Sequence, residues 1–89
     1  MRPQNTQQGR HKPYSFERLS PDEVQAGLDE FGLSVLDYCR LTGTGPKTVK
    51  KWIDGEDEPP HQVAHNFAVW RVPGALAAAW KEAESRLLD

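Results

Sequence analysis

Apolar residues recur along this chain at intervals of three and four, in short groups broken by glycine, proline or polar clusters. That is the spacing of one face of an α-helix. Val24, Leu28 and Phe31 form one group, and Val49 and Trp52 another three residues apart. Val63, Phe67 and Trp70 follow, then Leu76, Trp80, Ala83 and Leu87. No segment alternates as a half-buried strand would. The expectation is an all-α fold: a compact bundle of four to five short helices, without a sheet. Residues 1–18 read as a flexible polar and basic arm, aperiodic through residue 15. Residues 19–89 read as the helical domain, ending in its C-terminal helix.

Helix starts follow one local grammar. Ser20 is an N-cap, Pro21 suits the first helical position, and Glu23 completes a capping box, with Leu19 and Val24 as a hydrophobic staple. This helix ends near Gly32. Ser34 and Asp37 repeat the box at once, with Leu33 and Tyr38 as the staple. The second helix runs to about Thr42, where Gly43 supplies the left-handed conformation of a turn. A third helix starts at Gly45-Pro46 and ends near Asp54-Gly55. Pro60 opens a fourth, and Pro73-Gly74 separates it from a fifth over residues 75–88.

The stretch from Ser34 to Gly55 is the most informative. Two short helices meet at a tight turn, and the small Cys39 sits four residues before Gly43, where the following helix crosses. Val49 and Trp52 face inward. Lys47, Lys50 and Lys51 are thereby turned towards solvent or a DNA groove. This is the pattern of a helix-turn-helix, with residues 45–54 as recognition helix.

Charge sharpens that picture. The net charge is -2, which by itself does not favour nucleic acid, but the signs are segregated. Arg2, Arg10, Lys12 and Arg18 lie in the arm. Residues 19–39 hold five acids and no base, residues 40–51 hold Arg40, Lys47, Lys50 and Lys51 and no acid, and Asp54, Glu56, Asp57 and Glu58 follow. In the remainder Arg71, Lys81 and Arg86 balance Glu82, Glu84 and Asp89, so net positive charge is confined to the arm and the proposed recognition helix, the footprint of a protein that binds DNA with one face. The acidic remainder weakens non-specific binding.

Other chemistry finds little support. The single Cys excludes an internal disulfide and a multi-thiolate metal site. His61 and His65 have the i, i+4 spacing of metal ligands, but no third ligand accompanies them and no Glu follows His61 as in zinc proteases. Glu56-Asp57-Glu58 lacks the alternating ligands and glycine of a calcium loop. There is no phosphate-cradling glycine loop. The expectation is no enzyme, no metal and no cofactor. No apolar stretch follows the N-terminal Met-Arg-Pro-Gln-Asn, and the run from Ala75 to Trp80 is too short to span a bilayer, so a cytoplasmic protein without membrane contact is expected.

By these residues the chain resembles the Cro- and phage-repressor-like (XRE-type) helix-turn-helix family over roughly residues 20–70. The match is most specific from Gly43 to Gly55, where Thr48-Val49-Lys50-Lys51-Trp52 and the closing Gly55 stand. The pattern is closest to small phage-associated transcriptional regulators. It differs at Thr42 and Thr44, where aliphatic residues are common, at Val35-Leu36, and at Gly45-Pro46, which replaces a polar pair. The resemblance implies a transcriptional regulator that binds double-stranded DNA in a sequence-specific manner. Lys47 and Lys51 would make direct contacts. Lys50 would meet phosphate or remain solvated, and Thr48 would donate to phosphate or stabilise the first helical turn. Pro46 would lose a base-reading hydrogen bond or make a methyl contact, and Arg40 joins the set. Arg10 and Lys12 suit either a minor-groove or phosphate contact or a plain tail. The stripe Leu76, Trp80, Leu87 suits core packing or a homodimer contact. A protein-interaction module, such as the antitoxin of a toxin–antitoxin pair, is the alternative function.

Overall fold

Two of the helices start as their local sequence requires. The computed structural model describes residues 15–88, among which are five α-helices and no strand: α1 Pro21–Glu30, α2 Val35–Thr42, α3 Pro46–Asp54, α4 His61–Trp70 and α5 Ala75–Arg86. Ser20 accepts the Glu23 N–H at 3.2 Å, and the Glu23 carboxylate accepts the Ser20 N–H at 2.8 Å. Ser34 and Asp37 repeat this reciprocal pair at 3.0 Å each. Each box satisfies donors that a helix start would otherwise leave open.

The ends are equally local. Gly32, at φ 66°, closes α1 with Leu33 N–H on the Leu28 carbonyl and its own N–H on Asp29. These are the two bonds of a Schellman motif, and they bring Leu33 back into the core. Gly43, at φ 79°, closes α2 by donating to the Cys39 carbonyl at 2.8 Å. Thr42 and Thr44 have a polar task in the turn that follows. The Thr42 hydroxyl donates to the Tyr38 carbonyl at 2.8 Å and accepts the Thr44 N–H at 3.3 Å, with the Thr44 hydroxyl 2.9 Å away. An aliphatic pair could not make that clasp.

One core joins the elements. Val24, Leu28, Leu33, Tyr38, Val49, Trp52, Val63, Phe67 and Trp70 are buried. Tyr38 lies at its aromatic centre, edge-on to Trp52, Phe67 and Trp70 with centroids about 6 Å apart. Such edge-to-face pairs add to area burial. α1 packs on α3, α2 on α3 and α5, and α4 on α5.

Two expectations need adjustment. Pro60 is the N-cap of α4 and His61 its first helical residue. The α5 stripe is only partly core: Leu76, Trp80 and Ala83 are half-buried, Leu87 is 42% exposed, and no residue of α5 is fully buried. The helix lies across the bundle as an outer layer, so its inward stripe meets the core only near Leu76, Ala79 and Trp80. No helix among the described residues is long and apolar enough to cross a membrane.

Candidate nucleic-acid interface

The side chain of Trp52 sets the orientation of α3. Val49 is 1% exposed and Trp52 5%, which fixes one side of this short helix against α1 and α2. Pro46, Lys47, Thr48, Lys50 and Lys51 are all exposed. Lys47 and Lys51 are one turn apart and therefore neighbours on the outer surface, with Lys50 beside them. Among the described residues no salt bridge involves any of the three. Their positive charge is uncompensated by close ion pairing.

The start of α3 differs chemically from those of α1 and α2. Gly45 provides no side-chain cap, and Pro46 occupies the first position. The N–H groups of Lys47 and Thr48 are therefore not satisfied by a cap, and a helix N-terminus favours anions. Lys47 stands beside that end, and Thr48 carries a hydroxyl into the same exposed turn. Lysine nitrogens, a hydroxyl and backbone N–H groups are the donors that phosphate and base edges accept.

Arg40 is placed differently. It belongs to α2, is exposed, and lies 3.8 Å from Asp37, whose carboxylate also caps that helix. Part of its charge is engaged within its own helix. Arg10 and Lys12 lie outside the described residues.

Residues 15–20 lead into α1 without regular secondary structure, and two of them hold the domain where sequence reasoning saw only arm. The Phe16 ring stacks on His61 with centroids 3.9 Å apart and planes 15° from parallel. Arg18 donates to the carbonyl of buried Pro59 at 3.1 Å. The root of the arm is thereby seated against the start of α4, directly after the acidic loop Glu56–Glu58. Only Phe16, a large apolar residue in a polar stretch, was a signal for this. Nothing local pointed to Arg18 and Pro59, which are 41 residues apart.

Cys39 is half-buried and packs on the core. Burial pushes its thiol above the ordinary range, which disfavours the nucleophilic thiolate. His61 stacks on Phe16, and among the described residues no group of three or more His, Cys, Asp or Glu side chains is arranged to hold a metal. No family model matches the chain, and no curated protein matches it.

Proposed function

We propose that this protein binds double-stranded DNA in a sequence-specific way and regulates transcription, acting in the cytoplasm as a phage-type regulator. In this reading α2 and α3 are a helix-turn-helix, α3 enters the major groove, and Lys47 and Lys51 meet base edges. Lys50, Thr48 and the open start of α3 hold phosphates. The observation that carries the reading is the α3 surface itself: three exposed lysines outside any salt bridge among the described residues, opposite a buried Val49 and Trp52. A homodimer through α5 fits a two-fold DNA site. Leu87 is the accessible member of its apolar stripe, while Leu76 and Trp80 are largely used in the bundle.

Selection of bound sites from random duplex DNA tests this. The expected result is a guanine-containing half-site, repeated about one helical turn away if the protein binds as a dimer. Recovery of unenriched sequence would contradict it. A second reading, a protein-interaction module such as an antitoxin, is favoured by the exposed apolar residues Leu36, Val69 and Val72. A small protein co-purifying in fixed ratio would support that one.

A further inference from the structure

A groove of about 370 Å³ lies between α2, α4 and α5. Tyr38, Trp52 and Trp70 are among its lining residues, with Thr44, Gln62 and Asn66 supplying polar groups. Its size is within the range of small-molecule sites. Among the described residues no Asp, Glu, Lys, Arg or His lines it.

Its hydrogen-bonding is unbalanced. Trp52 and Trp70 are at least nine-tenths buried, and neither indole N–H donates in a side-chain hydrogen bond among the described residues. An indole N–H is donor-only and, when buried, usually finds a partner. Tyr38, 2% exposed, accepts from Asn66 at 3.1 Å, and Gln62 donates to Asn66 at 3.0 Å. The Tyr38 hydroxyl proton has no acceptor among the described residues in that arrangement. Reversing both amides would make Tyr38 a donor to Asn66 and leave the Gln62 amino group free instead. In either orientation the two buried indole N–H groups remain without an acceptor among the described residues. Burial also raises the Tyr38 phenol above its ordinary range.

We propose that this groove is a binding site for a small uncharged molecule with a flat apolar body and a carbonyl-type acceptor. The aromatic lining takes the body, the indole donors take the carbonyl, and the absence of charged side chains among the described lining residues leaves nothing there to compensate an ion. Trp52 belongs to α3 and Thr44 to the turn before it, so the ligand touches the elements that display the lysines. Occupancy of the groove does not depend on the DNA-binding reading.

The test uses the ¹⁵N-labelled full chain, its three indole N–H resonances assigned by Trp→Phe variants. The probe is 4-chromanone, and chroman, the same bicyclic body without the carbonyl, is its control. 4-Chromanone should shift the Trp52 and Trp70 indole signals with half-saturation on the order of 1 mM, leaving Trp80 nearly still. Chroman should bind about fivefold more weakly, the worth of one net hydrogen bond. Filling the groove with Ala79→Leu should abolish the shifts at unchanged helix content. Unmoved Trp52 and Trp70 signals, equal movement of all three, equal affinity for the two probes, or shifts that survive Ala79→Leu would each overturn the proposal.

Discussion

Gly27 shows how a single residue can reverse the rule that its local structure suggests. In a helix interior alanine is favoured over glycine by about 1 kcal/mol. Here a Cβ would lie 2.2 Å from the Phe67 ring. That ring has little room, because Phe31, Tyr38 and Trp70 surround it at about 6 Å. Gly27→Ala should therefore destabilise the fold by about 1–3 kcal/mol. Thermal melting checks this, and a melting temperature at or above the parent's would contradict the close α1–α4 approach. Trp52→Ala should cost about 3–5 kcal/mol through loss of a buried indole. Melting like the parent would mean that α3 is turned the wrong way. Trp52 was legible in the sequence, because Val49 three residues earlier marks the same helix face. Gly27 was not: a lone glycine in a helical pattern does not announce which distant ring approaches it.

At the scale of elements, what was legible was what is local. Both capping boxes, the Gly43 turn and the α3 boundaries are set by residues within one helical turn, and their sequence signatures sufficed. Partners far apart in the chain left no such signature. Arg71 at the end of α4 donates to both carboxylate oxygens of Glu30 at the end of α1, at 2.8 and 2.9 Å across 41 residues. These bonds hold the Glu30 carboxyl below its usual range. The sign follows: a carboxylate depressed by folding stabilises fully above its unfolded pKa and loses that contribution as pH falls through the folded value. Glu30→Gln should thus flatten the acid side of the melting-temperature profile, with the difference from the parent vanishing once the parent's Glu30 is protonated. A constant offset down to the most acid pH would show that the pair is not what ties these helix ends. The groups are exposed, so the effect is small. α5 was the least legible element. Its spacing of four, three and four marks an inward face, but spacing cannot tell a central helix from an outer layer.

For the whole molecule, the segregation of charge was readable from sequence, and α3 shows it as an exposed lysine face. The uncompensated lysines share the exposed side of α3, whereas Arg40 and Arg71 are engaged with carboxylates of their own domain. Phe16 and Arg18 divide the N-terminal segment into a seated root and residues beyond it. Deleting residues 1–14 should leave the melting temperature unchanged, and deleting residues 1–18 should lower it. Equal effects of the two truncations would show that the Phe16 and Arg18 contacts add nothing. The most direct test of the central claim is titration of duplex DNA carrying the selected site with the Lys47→Ala, Lys51→Ala double variant. Each truncated lysine should cost about 1–3 kcal/mol if it meets a base edge, with relaxed preference at that base pair. A lysine that meets only phosphate should instead weaken all sequences alike and reduce the salt slope by about one unit. Affinity and salt slope equal to the parent's, at unchanged helix content, would contradict α3 as the reading helix.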